Sequence, residues 1–133
     1  MSLIDKFYNK IVTNLISNKK NFYLSKSNKV SYYELFRHVK KINFYLQNLK
    51  NEKVGLYCDK SEFYYAAVIA ILLSGNTWIQ IPKNNPKERN KYIVNESNIH
   101  LIIVLNQHNH LNNNQHHQCV TFVIIIILMY QFN

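Results

Sequence analysis

The sequence predicts an α/β fold with a partial parallel sheet whose strands are joined by crossover helices. Short apolar runs suited to buried strands alternate with longer segments that begin with helix-start signals. The 133 residues contain only two glycines and two prolines, which disfavours an all-β fold with many tight turns. From residue 53 onward the order is strand, helix, strand, helix, strand, as in parallel sheets with crossover connections.

The first half of the chain predicts two helices flanking two short extended pieces. Apolar residues at helical spacing predict a helix over residues 2–18. Extended pieces are expected at 21–24 and 29–32, around a polar turn. Ser31 and Glu34 have capping-box spacing and begin a second helix, which runs to about residue 49. Its apolar face is expected to pack on a sheet and consists of Leu35, Val39, Ile42, Leu46 and Leu49.

The next segments predict three strands separated by two helices. Strands are expected at 53–58, 76–81 and 99–105. A capping box over 59–62 begins a helix at 62–73, which is apolar almost all round and therefore buried, and Ser74-Gly75 ends it. In the last helix, Asn85 is the expected N-cap, Pro86 occupies the first helical position, and Glu88 completes the box.

Charge divides the chain by composition. The formal net charge is +9, and every Lys, Arg, Asp and Glu lies between residues 5 and 96. We therefore predict an ordered segment over residues 1–105 and an uncharged tail over 106–133. Fourteen of the sixteen basic residues are lysines. They look scattered, with no helix face collecting them, and arginine, the main reader of bases, is almost absent. This distribution argues against a nucleic-acid partner and favours a codon bias.

Three stretches, in order within residues 30–105, resemble the adenylate-forming enzymes. This family includes acyl- and aryl-CoA synthetases, D-alanine–carrier-protein ligases and the adenylation domains of nonribosomal peptide synthetases. VSYYEL at 30–35 resembles the (S/T)-Y-x-E-L motif, and VGLYCDKS at 54–61 is similar to the strand and turn before the family's buried helix. LLSGNTWIQIP at 72–82, followed by KNNPKER at 83–89, resembles L-K-A-G-x-A-Y-x-P-(I/L)-D and P-x-x-R. Matching residues are Gly75, Ile81, Pro86 and Arg89, and departures are Ser74, Trp78, Gln80, Pro82 and Lys83.

The resemblance implies a fold like the first part of the N-terminal domain of these enzymes. It also implies that full-length relatives activate a carboxylic or amino acid with ATP and Mg²⁺ and pass the acyl group to a carrier thiol. That chemistry needs a phosphate cradle, a ribose-binding acid and a catalytic lysine, which in the family lie downstream of the matched segment. Gly55 and Gly75 are the only glycines, so no Gly-rich phosphate loop is expected. We assign no catalytic residue and no metal ligand, leave cofactor-binding residues open, and expect no cofactor for this chain alone.

The uncharged tail leaves alternatives open. Its histidines suggest a metal site or, as favoured here, a flexible polar segment; they are His108, His110, His116 and His117. The apolar run at 119–130 is shorter than the roughly 20 residues of a membrane span. It predicts a buried strand, a membrane-interface segment or an aggregation-prone strand. A frameshifted end to a longer gene would explain the whole tail, and translating the other downstream frames tests that hypothesis.

The leading functional hypothesis is a truncated N-terminal fragment of an adenylate-forming ligase, inactive by itself. The alternative is a small non-enzymatic α/β interaction protein. We expect no membrane span, a cytoplasmic location and self-association through exposed apolar surface. Cys58 and Cys119 are expected to be free thiols, because two cysteines cannot form a disulfide framework.

The isolated chain should bind a hydrophobic dye such as anilinonaphthalene sulfonate. The apolar helix at 62–73 requires cover on several sides, and a three-stranded parallel sheet also requires cover on both faces. Dye fluorescence measured under native conditions, beside a well-packed protein of similar size, checks this expectation. An absence of fluorescence enhancement would contradict it.

Overall fold

The structure is a computed structural model that describes residues 1–23, 29–99, 101–108 and 119–126. Its contacts divide the chain into two units. The first consists of Met1–Lys50 and Lys60–Asn76, and the second of Asn51–Asp59 and Thr77–Asn133. The elements are α1 (Leu3–Ser17), β1 (Asn21–Tyr23), β2 (Lys29–Ser31), α2 (Tyr32–Leu46), β3 (Lys53–Tyr57), α3 (Glu62–Leu73), β4 (Thr77–Gln80), α4 (Lys87–Glu96), β5 (Leu101–His108) and β6 (Cys119–Ile126).

In the first unit, α2 follows the predicted pattern at its start. The Ser31 hydroxyl accepts a hydrogen bond from the Glu34 backbone N–H at 3.1 Å, and the Glu34 carboxylate accepts one from the Ser31 N–H at 3.2 Å. This confirms the capping box, which satisfies two backbone donors that a helix start otherwise leaves free. β1 and β2 form the two extended pieces and pair antiparallel.

The apolar stripe of α2 is confirmed, but its neighbours differ from the expectation. Leu35, Val39, Ile42 and Leu46 are buried, whereas Leu49 is half-buried and follows the helix end at Leu46. We expected this stripe to pack on a sheet. Within its own unit, α2 instead packs against α3 and α1 and contacts β2. Helix-on-helix packing satisfies the same apolar stripe, and periodicity alone does not distinguish the two.

The bounds of α3 agree with the prediction, but its cap does not. The N-cap is Ser61, whose hydroxyl accepts a hydrogen bond from the Tyr64 N–H at 3.3 Å; the predicted box began at Asp59. Burial is extensive, and the buried residues are Phe63, Tyr64, Ala66, Ala67, Ala70 and Ile71. Tyr65 and Leu72 stay exposed. The helix is therefore apolar all round and buried on most, but not all, sides.

The residues that follow α3 tie it to the residues that follow α2. Gly75 has a φ of +78°, a left-handed conformation suited to ending a helix with glycine. The Asn76 side-chain amide donates to the Leu49 carbonyl at 3.0 Å and to the Ser74 hydroxyl at 2.8 Å. Lys50 Nζ donates to the Ser74 carbonyl at 3.0 Å. The Ser74 hydroxyl, at a position where the family motif has Ala, thus takes part in a buried network.

In the second unit the strands form one sheet in the order β4-β3-β5-β6. β3 is parallel to both β4 and β5, which confirms the parallel sheet. β6 pairs antiparallel with β5 over eight residue pairs. Of the alternatives for the apolar run, the backbone at 119–126 is therefore a strand, and the sheet has one antiparallel edge. The division after residue 105 stays a prediction. The predicted polar turn and tail histidines 110, 116 and 117 lie outside the described residues.

The middle of β3 carries Gly55 because its neighbours leave no room for a side chain. A Cβ there would lie 2.7 Å from Ile81 Cδ1 and 3.2 Å from atoms of Ile99 and Ile102. These three isoleucines form a buried cluster. Ile93 and Val94 of α4 pack against it. Gly55 therefore permits close contact between the sheet and the side chains beneath α4.

The start of α4 differs from the prediction. Pro86 is the N-cap, the helix begins at Lys87, and no side chain caps it. The Asn85 amide, predicted to cap the helix, instead donates to Asn90 Oδ1 at 3.1 Å. The Asn90 amide donates to the Pro82 carbonyl at 2.8 Å. These two side chains connect the β4–α4 loop to the helix body and replace the expected cap.

Replacing Gly55 with alanine should lower the free energy of unfolding by about 1–3 kcal/mol, because the added methyl overpacks a closed core. Ile81→Val removes the nearest atom, Cδ1, and alone should cost about 0.5–1.5 kcal/mol. The double variant should be less destabilised than the sum of the single variants, because the closest clash is gone. Urea denaturation of all four proteins measures the coupling. Strictly additive effects would contradict the proposed contact.

The free energy of unfolding should also decrease as the pH is lowered, because of His38. Its ring lies 4.4 Å from the Phe63 ring. Burial lowers its pKa from 6.5, nearby Lys41 and Arg37 lower it further, and Glu34 opposes them. The unfolded chain therefore binds more protons below about pH 6.5, so stability present above that pH is lost as the pH falls towards the lowered pKa.

The matched variant is His38→Gln, which cannot gain that charge. Urea denaturation of both proteins between about pH 7.5 and about pH 5.5 measures the slope. We expect a steeper loss of stability in the parent protein. Equal slopes would assign the pH dependence to other histidines.

Candidate functional site

A cleft in the second unit is the candidate site. It lies between α4 and the sheet, near the carboxyl ends of β3 and β4, a common position for ligand sites in open α/β sheets. Its volume is about 730 Å³, within the usual range for ligand sites. The described residues that line it are Tyr57, Ile81, Lys83, Asn85, Lys87, Asn90, Lys91, Val94, Asn95, Ile102 and Val104.

The floor of the cleft is apolar and its rim is basic. Tyr57, Ile102 and Val104 occupy alternate positions on neighbouring strands and so share one face of the sheet. Lys87 and Lys91 lie four residues apart and hence on one side of α4. Sequence analysis did not single out this pair among the fourteen scattered lysines. The i, i+4 spacing was visible in the sequence, but its position over an apolar floor was not.

The third lysine belongs to the β4–α4 loop and is the only one with an ion pair among the described residues. Lys83 Nζ lies 3.5 Å from the Asp59 carboxylate and 5.8 Å from the centre of the Tyr57 ring. Asp59 is 81% exposed, so water screens this pair. The bonds of Asn90 to Pro82 and Asn85 hold the loop that carries Lys83 against the helix.

Cys58 is not suited to nucleophilic chemistry. Its side chain is 4% exposed. Burial raises the pKa of its thiol to about 12, the charge of Lys83 lowers it, and the charge of Asp59 raises it. Since the thiolate is the reactive form, the thiol is inert near neutral pH.

The cleft does not fit Mg²⁺, which the family resemblance implies for full-length relatives. Mg²⁺ requires oxygen ligands, usually carboxylates, whereas the charged groups that line the cleft are lysines. Within the described ranges, no three His, Cys, Asp or Glu side chains come together as metal ligands. His108, one of the histidines considered above as a metal ligand, lies in β5, and its side chain is outside the part of the chain that the structure describes. We therefore derive no step through a metal ion.

The residues that match the family motifs have structural positions. Gly75 ends α3, Pro86 begins α4, and Ile81 is buried in the isoleucine cluster. Arg89 is exposed, with its guanidinium 5.7 Å from the centre of the Tyr92 ring. Ile81 alone of these four lines the cleft. The lysine rim was not singled out by motif comparison.

Where the structure describes the chain, no helix has the length and apolar character needed to cross a membrane.

Comparison with known proteins identifies relatives over most of the chain. The family described as AMP-binding enzyme matches residues 14–131. A nonribosomal peptide synthetase, ecdA of Aspergillus rugulosus, is 33% identical over 78 residues, which are 56% of this chain and 1% of the synthetase. The chain therefore spans a very small part of this relative.

Solved structures share the fold. A holo four-domain nonribosomal peptide synthetase, AB3403, bound to AMP and glycine, matches 74% of this chain and 8% of its own, with 24% identity and a TM-score of 0.64. The N-terminal subdomain of Klebsiella oxytoca NpsA, bound to 3-hydroxyanthranilyl-AMSN, matches 94% of this chain and 34% of its own, with 14% identity and a TM-score of 0.63.

These structures establish an α/β fold like the N-terminal subdomain of adenylate-forming enzymes. The family match extends far beyond the three motifs and covers most of the chain. It does not favour an unrelated small interaction protein. The chain belongs to the AMP-binding enzyme family.

Proposed function

We propose that this chain contributes structural framework to an ATP-dependent, carboxylate-activating ligase and does not form an acyl-adenylate by itself. The family match over residues 14–131 supports the first part of the proposal. The second part rests on one observation, the use of the two glycines. The corresponding full-length ligase would activate a carboxylic or amino acid with ATP and Mg²⁺ and transfer it to a carrier thiol.

Phosphate binding by backbone N–H groups depends on glycine. A phosphate cradle brings several backbone N–H groups close to the anion, and glycines allow that approach. Gly55 lies inside β3, where its missing side chain makes room for three isoleucines. Gly75 ends α3 with a positive φ. Both glycines therefore already have structural roles, and the sequence contains no third.

The lysines of the cleft do not replace such a cradle. Lys83, Lys87 and Lys91 present flexible ammonium groups around an apolar floor, whereas catalysis of adenylation needs fixed donors at the reacting phosphate. On this proposal, the groups that bind ATP, Mg²⁺ and the acid lie outside this sequence.

Location and association form a second part of the proposal. We place the chain in the cytoplasm, as expected from its sequence. Exposed apolar side chains support self-association of the isolated chain. On α1 these include Leu3, Phe7 and Ile16, and on α2 they include Phe44 and Tyr45. In the ligase, other segments would cover such side chains.

The test is carboxylate-dependent exchange between ATP and labelled pyrophosphate. We expect the purified 133-residue chain to give no exchange above background with a panel of amino acids and aryl acids. An intact adenylate-forming enzyme, assayed in parallel, is the positive control. Circular dichroism and a urea titration establish that the assayed chain is folded.

A thermal-shift measurement with MgATP separates binding from chemistry. A ligand that binds the native state raises its stability according to its concentration and Kd, so we expect no shift. Exchange that depends on an added acid would overturn the proposed inactivity. A melting shift without exchange would overturn the absence of an ATP site but not the absence of catalysis.

A further inference from the structure

We propose that the cleft between α4 and the sheet docks an acidic amphipathic helix of a partner protein. The proposal rests on the α4 wall and apolar floor of the cleft, on its lysines, and on the hydrogen bonds that hold the adjoining loop. It does not depend on the proposed function, because it concerns neither ATP nor the acid substrate.

The length of the cleft wall on α4 matches a short stretch of helix. Lys87, Lys91 and Asn95 recur every four residues along α4 and line its wall for two turns. Eight residues of helix extend about 12 Å. The apolar floor is the sheet, where Tyr57 and Val104 are half-buried. A helix lying in such a groove presents side chains at matching i, i+4 positions.

Charge determines which kind of helix fits. Lys87 and Lys91 place two positive charges one turn apart on the rim, and Lys83 adds a third from the loop. Asp59, the acid paired with Lys83, is largely exposed. The complementary surface therefore has apolar side chains facing the floor and two acids one turn apart facing the lysines.

A second copy of this chain is a poor occupant. A second copy would bring its own net charge of +9 to the basic rim, which disfavours it at this cleft. None of the helices α1 to α4 contains two acidic residues at i, i+4 spacing. Their acids are Asp5, Glu34, Glu62, Glu88 and Glu96. A duplex nucleic acid is also disfavoured, because its phosphates use exposed cations and gain nothing from an apolar floor.

Internal hydrogen bonds hold in place the loop backbone that carries Lys83. Asn90 donates to the Pro82 carbonyl and accepts from Asn85, so the loop with Lys83 is fixed to the helix that carries Lys87 and Lys91. Preorganisation of this kind lowers the entropy cost of docking.

The experiment uses a small set of fluorescent helical peptides of about 15 residues, a length at which helicity becomes favourable. Each has leucines along one face and two glutamates one turn apart beside them, and matched peptides carry glutamine instead. Anisotropy with the full chain should show at least tenfold tighter binding of the glutamate peptides at low ionic strength, with the preference falling as salt screens the charges.

Matched variants locate the site. The double change Lys87→Gln and Lys91→Gln should weaken binding at least tenfold. In the control variant, Lys6→Gln and Lys10→Gln remove an exposed lysine pair of equal spacing from α1. This variant should bind the peptides as the parent chain does. Val104→Thr, similar in shape but polar, should weaken binding and preserve the salt dependence.

Four outcomes of the peptide experiments would overturn the proposal, and a fifth concerns a small anion. The four are no binding by any glutamate peptide, equal binding of glutamine peptides, equal loss in the two lysine-pair variants, and displacement of bound peptide by duplex DNA at lower concentration than by unlabelled peptide. Circular dichroism of each variant distinguishes loss of the cleft from loss of the fold. Decanoate that competes at stoichiometric concentration would reassign the cleft to small amphipathic anions and also overturn the docking proposal.

Discussion

The interior of β3 has no space for a side chain at residue 55, and the second unit depends on that constraint. Gly55 lies against Ile81, which follows β4, and against Ile99 and Ile102, which lie around the start of β5. These contacts close one face of the sheet. On the other side of β3, Val54 and Leu56 are fully buried. Parallel strands carry apolar residues on both faces, and on the face towards the three isoleucines only a residue without Cβ fits at this spacing.

The position of α4 follows from this packing. It is a polar helix without a buried residue or a side-chain cap, so intrinsic propensity gives it little stability. Ile93 and Val94 anchor it to the isoleucine cluster, and Asn90 anchors it to the preceding loop. The basic cleft forms because α4 is packed against the isoleucine cluster. Gly55 therefore affects the cleft indirectly, through packing, although it does not line it.

Local sequence signals predicted the helices and strands well. The predictions that were wrong depend on tertiary contacts, which form only in the folded chain. Ser31, Glu34 and the Ser74-Gly75 pair act on neighbouring backbone, so they could be recognised from sequence. Asn85 has two competing uses, as a helix cap or as a partner of Asn90, and only the folded loop selects between them. The cleft combines a lysine pair at helical spacing with Lys83 from a loop. Its apolar floor comes from other strands, which no local pattern connects to α4.

Framework and chemistry place opposite demands on glycine. A phosphate cradle uses glycine so that backbone N–H groups can reach an anion. Here Gly55 serves close packing and Gly75 serves a helix end. Neither glycine can serve a phosphate cradle elsewhere, because the effect of a glycine is confined to its own backbone position. Lysines are different, because their long stems project charge away from the backbone that carries them. A chain whose glycines both have structural roles can therefore still present a charged docking surface. We infer this combination for the present chain.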